Sequence, residues 1–264
     1  MGGSCVDKLP TEPGALARTY EATTPKSYYL KTMDTSNFTP LNAAEHHQLS
    51  YRQLNQYAFA AAEHVAPLLF KEMPKASKCF PILFTLDGLA VPFALLSLEK
   101  GKNPRVQADG SWQGSYIPLH FRRYPFMLAS GDSASMAVLI DPEAPQLHAA
   151  DGEPLYVEED GQFKPSKALA DIKRGLETFH ETFEATKKLV TMLRDAGVLV
   201  PAKLTTQRTA DSERQTASGF ALVDPQKVNQ LDEQTRKVWV KLGLTRLIEM
   251  HLNSIAAWLP VPKQ

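Results

Sequence analysis

Residues 79–129 read CFPILFTLDGLAVPFALLSLEKGKNPRVQADGSWQGSYIPLHFRRYPFMLA. This stretch holds the densest apolar runs of the chain and its clearest turn signals. Two short apolar runs, 80–86 and 89–98, flank Asp87-Gly88, a dipeptide that tolerates the positive φ angles of a two-residue hairpin turn. Pro92 lies in the second run and has no ladder donor, which predicts an edge strand or a bend there. Charged and turn-forming residues at 99–104 close that run, and Asp109-Gly110 marks another turn before Trp112 and Tyr116. The amphipathic segment 121–129 follows, with Arg122 and Arg123 side by side. From the usual length of such runs, the expectation is a curved antiparallel β unit of about four strands.

Moving outward toward the start, LNAAE at 41–45 carries Asn42 as a cap with Glu45 three residues later. That is a capping-box spacing, and it predicts a helix running through His47, Leu49 and Tyr51. Pro67 and Pro74 then interrupt 57–78. Residues 1–37, with Pro10, Pro13 and Pro25, read as a largely irregular N-terminal segment in which Tyr28-Tyr29-Leu30 forms a short strand or docking segment. The folded domain is expected over 38–264.

Toward the end, 136–140 is another short apolar run, and 141–163 reads as a surface excursion. Ser166 opens the clearest helix of the chain. Leu169, Ile172, Leu176, Phe179, Phe183, Thr186, Val190 and Leu193 recur in steps of three and four, one apolar stripe along a single face. Gly197 is placed as its C-terminal cap. Residues 198–200 are a short apolar run just after it, 205–218 reads as a polar loop, and 220–224, closed by Pro225, reads as one more strand. A last helix is expected over 230–258, with Val238, Leu242, Ile248, Leu252, Ile255 and Leu259 inward. This order predicts an α+β fold: a bent antiparallel β-sheet flanked by two long helices in a single domain.

The 264 residues are 43% hydrophobic and 22% charged, an ordinary globular composition. A net charge of +0 and a pI near 7.1 supply no global field for polyanions or anionic lipid, so nucleic acid is not an expected partner. The longest uncharged run of the stretch, 88–98, is too short to span a bilayer. The start, MGGSCVDKLPTEPG, is polar and proline-broken, unlike a secretory leader. Val6 stands where a myristoylation signal needs Ser or Thr. These features predict a soluble, cytoplasmic protein. Cys5 and Cys79 are the only cysteines, one in the tail and one beside a buried strand, and both are expected to be reduced.

Arg122 and Arg123 are the foremost binding candidates, because a guanidinium can clamp a carboxylate or phosphate through two hydrogen bonds. In an extended segment they face opposite ways, so one at most lines a given pocket. The plainer use is pairing with an acid inside the fold. Trp112 and Tyr116 would form an aromatic wall nearby, although core packing is the commoner use of such rings, and Tyr124 completes the set that a ligand would meet. The seven histidines are 46, 47, 64, 120, 148, 180 and 251. They form no HExxH or His-x-Asp element, and the chain has no CxxC. No metal site is predicted and no cofactor is indicated. His251 reads as a packed, hydrogen-bonded residue. GxSxG, GxGxxG and P-loop patterns are absent, so no catalytic residue can be named.

Several motifs, taken together in order, carry a resemblance. They are LNAAEHHQLSYR (41–52), YAFAAAEHVAPL (57–68), FPILF (80–84), ALLSLEKGKN (94–103), DGSWQGSYIPLHFRRYPFMLA (109–129), GFALVDPQKVNQL (219–231) and MHLNSIAAW (250–258). With them the chain resembles the SapC family of bacterial proteins over roughly 41–258. The family is distinct from the membrane permease that shares its name. Its own name refers to a bacterial surface layer, and the resemblance brings neither a defined activity nor catalytic residues.

The expected function is a non-catalytic accessory or binding protein whose partner is a protein or a small anionic ligand. One alternative is an enzyme, or an enzyme's partner, with a metal or cofactor site built from scattered residues. A second is a surface-layer-related structural protein that assembles as a homodimer through the 166–193 helix. The other use of that apolar stripe is packing on the chain's own sheet.

Overall fold

Late strands interleave with early ones in the largest sheet. The computed structural model describes Tyr20–Glu21 and residues 36–86, 90–130, 136–206 and 215–257. The Asp87-Gly88 turn, the Tyr28-Tyr29-Leu30 segment, Trp258 and Leu259 lie outside the described residues. The first elements are β1 (Tyr20–Glu21), β2 (Thr39–Pro40), α1 (Ala43–His46), β3 (Ser50–Tyr51), β4 (Val65–Pro67) and α2 (Met73–Ala76). Then come β5 (Ile82–Thr85), β6 (Pro92–Leu95), α3 (Leu119–Arg122), β7 (Phe126–Ser130), β8 (Met136–Ile140), β9 (Glu153–Pro154), β10 (Tyr156–Glu159) and β11 (Gln162–Pro165). The remainder is α4 (Lys167–Asp195), β12 (Leu199–Thr206), β13 (Gln215–Val223), α5 (Pro225–Asn229), α6 (Glu233–Leu242) and α7 (Leu244–Ala256).

The main sheet runs β1-β12-β13-β5-β6-β4, antiparallel throughout. A second sheet, β2-β8-β7, and two short ribbons complete the strands among the described residues. The fold is α+β, as the order of elements predicted. The main sheet bends at a β-bulge: Ala202 pairs with Phe220 and Lys203 with Ser218, leaving Gly219 as the extra residue at φ 89. Such an insertion locally raises the twist and turns the strand.

The apolar run of β5 is buried on both faces. Ile82 and Phe84 enter the largest core cluster, while Leu83 enters a second cluster on the opposite face, the alternation a strand imposes. Pro92 is not on an edge strand. β6 lies between β5 and β4, and it accommodates Pro92 because the proline is its first residue, where a ladder donor can be spared. The Pro92 carbonyl still accepts from Leu68 N–H at 2.9 Å. The stretch 79–129 therefore supplies two strands to the main sheet and β7 to the second, not a local four-stranded unit. The other neighbour of β5 is β13, which no local pattern could announce.

Helix α4 spans 29 residues and begins as predicted, with Ser166 Oγ accepting from Leu169 N–H. Leu169, Leu176, Val190 and Leu193 on its stripe are buried in the chain's own clusters. The second long helix is divided. Gly243, at φ 75, ends α6 and starts α7, so only one helix is long. The break shifts the helical phase: Trp239 is buried, whereas Val238 and Leu242 are exposed. In α1, Asn42 caps as expected, accepting from Glu45 N–H at 2.9 Å. The helix stops at His46 and the chain re-enters as β3 at Ser50–Tyr51. The segment after β8 is more than a surface excursion, because Asp141, Gln146, Leu147 and Leu155 are all buried. Strands β12 and β13 extend into the expected 205–218 loop. Cys79, expected to be a free thiol, is disulfide-bonded.

Candidate functional site

Between the isolated Val106–Trp112 bridge and β7, the chain makes a single helical turn where an extended segment was expected. Pro118 (φ −54) starts it, and its carbonyl accepts from Phe121 and Arg122 N–H at 2.9 and 3.1 Å. The turn closes at the cis Tyr124–Pro125 bond before β7.

Glu72 holds this turn in place. Its carboxylate is 3% exposed and accepts from Tyr116 O–H at 2.6 Å, Leu119 N–H at 2.7 Å and Leu69 N–H at 2.9 Å. Burial pushes its pKa up against those three hydrogen bonds and the charge of Arg122, all of which pull it down. The surrounding KEMPK (71–75) reads as a surface segment, so no local signal marks Glu72 as buried.

The two arginines have different partners, but on a helical turn rather than in the extended segment expected. Arg122 is exposed, with its guanidinium 5.9 Å from the centre of the Tyr116 ring. Arg123 is half-buried and lies over Phe179 of α4, 4.9 Å from the ring centre. Its Nε–H donates to the His120 carbonyl at 3.4 Å. Burial lowers the Arg123 pKa to about 10, which leaves it charged at neutral pH. Among the described residues, neither guanidinium has a carboxylate within ion-pair distance. The expectation of an arginine paired with an acid inside the fold is not met.

His120, one turn before Arg123, is 5% exposed. Burial, and then the charge of Arg123, lower its pKa to about 3, so the ring is neutral. Among the described residues its ring nitrogens make no hydrogen bond.

Trp112 and Tyr124 belong to the core rather than to a binding wall. Trp112 Nε1–H donates to the Tyr116 carbonyl at 3.1 Å, and its ring meets Tyr57 edge-on at 5.9 Å and Phe121 at 5.7 Å. Tyr124 stacks on Phe59 at 3.8 Å and donates to Asp141 at 2.7 Å. The five residues selected from sequence thus divide three ways: Arg122 with Tyr116, Arg123 with His120 and Phe179, and Trp112 and Tyr124 inside. A separate groove of about 390 Å³ between α2 and α7 contains none of them. Chemically, the turn presents two guanidiniums with no carboxylate at ion-pair distance among the described residues, although the Glu72 charge is felt by Arg122, and Arg123 is the one left uncompensated for an anion to meet.

A family model described as SapC matches residues 41–259. The chain belongs to the SapC family. The SapC match takes in every residue of this site, from Glu72 through α3 to Phe179. No curated protein and no solved structure matches the chain. Among the described residues, no helix is long and apolar enough to cross a membrane, and no group of three or more His, Cys, Asp or Glu side chains is placed to hold a metal ion.

Proposed function

We propose that this SapC-family chain is a non-catalytic binding protein whose ligand is a small anion met at the turn that carries Arg122 and Arg123. The observation behind this reading is that neither guanidinium has a carboxylate within ion-pair distance among the described residues, with Arg123 the more buried of the two. A partly buried, uncompensated charge costs on the order of a few kcal/mol, and an incoming anion offsets that cost. The turn is also rigid before any ligand arrives, since Glu72 fixes both Tyr116 and Leu119. A preformed site of this kind loses little entropy on binding. The stripe of α4 is largely occupied within the chain, which favours intramolecular packing over a helix seam between two copies.

The test compares the native with the denatured mass of the purified chain, for the parent and for Arg122→Ala and Arg123→Ala. A small-molecule mass excess that disappears on denaturation, and is lost in either variant while circular dichroism is unchanged, supports the reading. A ligand retained by both variants makes the arginines structural and ends it.

A further inference from the structure

One side of the turn carries more than charge. Phe179 and Phe183 of α4 are half-buried and stack 6.1 Å apart with an interplanar angle of 14°. Neither ring belongs to any of the core clusters or to the residues packed against them. They form an apolar shelf with no burden in the core. The guanidinium of Arg123 lies at its Phe179 end. His120 stands one helical turn before Arg123, positions that neighbour each other on a helix surface. Its imidazole belongs to a residue 5% exposed and makes no hydrogen bond among the described residues. The Nη donors of Arg123 likewise have no partner among the described residues.

We propose that His120, Arg123, Phe179 and Phe183 form a site for a small carboxylic acid with an apolar body. The carboxylate accepts from the guanidinium of Arg123 and from the imidazole N–H of His120. The apolar body lies along the Phe179 and Phe183 rings. This rests on the anion-binding reading above and narrows it to one of the two arginines. A bare phosphate satisfies the donors but leaves the shelf uncovered, whereas an amphipathic carboxylate uses both. The neutral state of His120 suits a donor beside an arginine, because a second full positive charge there is repelled.

The test titrates the full chain with sodium octanoate, sodium phenylacetate, 1-octanol and inorganic phosphate, read by calorimetry and by chemical shifts in the NMR spectrum. Octanoate and phenylacetate are expected to bind at least tenfold more tightly than phosphate or 1-octanol. Arg123→Gln is expected to weaken octanoate at least tenfold, Phe179→Ala severalfold, and Arg236→Gln, on exposed α6 away from the site, less than twofold. If Arg123→Gln fails to fold, Arg123→Lys and Phe179→Ala give the same comparison. Equal affinity for octanol and octanoate, equal affinity for phosphate, no binding of either carboxylate at millimolar concentration, or full retention of octanoate by Arg123→Gln each overturns the site. A copurifying anion lost in Arg122→Ala but kept in Arg123→Ala also removes this site while leaving the broader binding reading intact.

Discussion

His251 of α7 takes over the hydrogen bonding of Ile82 on β5. The imidazole is fully buried, with Nδ1–H donating to the Ile82 carbonyl at 2.7 Å and Nε2 accepting from Val223 N–H of β13 at 3.1 Å. Ser254, one turn along, accepts from Ile82 N–H at 3.0 Å. The ladder between β5 and β13 pairs Phe84 with Ala221 and Thr85 with Phe220. Beyond it, one helix satisfies the backbone that the ladder leaves unpaired, and the tautomer follows from the two partners.

That role makes stability depend on pH. Burial lowers the His251 pKa from 6.5 to about 4, against the Ile82 bond that raises it. The unfolded chain therefore binds a proton first as pH falls. The contribution is complete above pH 6.5 and is lost progressively as pH drops from 6.5 toward 4. Between pH 6.5 and pH 5 it amounts to about 2 kcal/mol. Urea unfolding of the parent and of His251→Gln at both pH values measures it. The parent should lose about 2 kcal/mol more than the variant over that interval, and equal losses would show that His251 is not the sensor.

Removing the Glu72 carboxylate strands three donors at once. Glu72→Ala should destabilise by about 3 kcal/mol or more, and Tyr116→Phe by about 1 kcal/mol. The two changes should be strongly non-additive, because they delete the same hydrogen bond. A denaturant double-mutant cycle reads the coupling, and a value near zero would contradict the Tyr116–Glu72 contact.

Trp112 and Tyr124 should act on stability and leave ligand alone. Trp112→Ala is expected to cost about 3–5 kcal/mol, as large core truncations do. Tyr124→Phe should cost about 1 kcal/mol through the lost Asp141 bond, with octanoate affinity unchanged. A drop in affinity at equal stability would place Tyr124 in the site after all.

At Gly243 a Cβ would meet no atom within 4 Å, so the only obstacle to a side chain is φ 75. Gly243→Ala should therefore lower stability by about 1 kcal/mol. A thermal midpoint unchanged from the parent would mean that the α6–α7 break relaxes into one helix.

How much of this was legible in the sequence depended on the range of the forces involved. The Asn42 and Ser166 caps, the α4 stripe and the glycine after it are local, and their spacing alone predicted them. Gly243 is equally local but was read through, because apolar residues continue on both sides of it. The α3 turn escapes a local reading for another reason: FRRYPFM is an amphipathic stretch that suits an extended segment, and what holds the turn is Glu72 gripping Leu119 N–H from far along the chain. Of the candidates, Arg122 and Tyr116 lie together, while the half-buried Arg123 faces Phe179 instead. Trp112 and Tyr124 were drawn in with them because nothing local distinguishes an aromatic ring that lines a site from one that fills a core. His120 was noticed only as a possible metal ligand, since its burial beside Arg123 is a tertiary fact.

The place of β13 beside β5 bears on biosynthesis. A ribosome delivers Ile82–Thr85 long before Gln215–Val223 and α7 exist. Until those arrive, the nascent chain carries an apolar strand with one open edge, the kind of surface that recruits strands from other molecules. Any premature stop before residue 223 therefore leaves that edge open for good, and the truncated product is destined for chaperones or aggregates rather than for partial function.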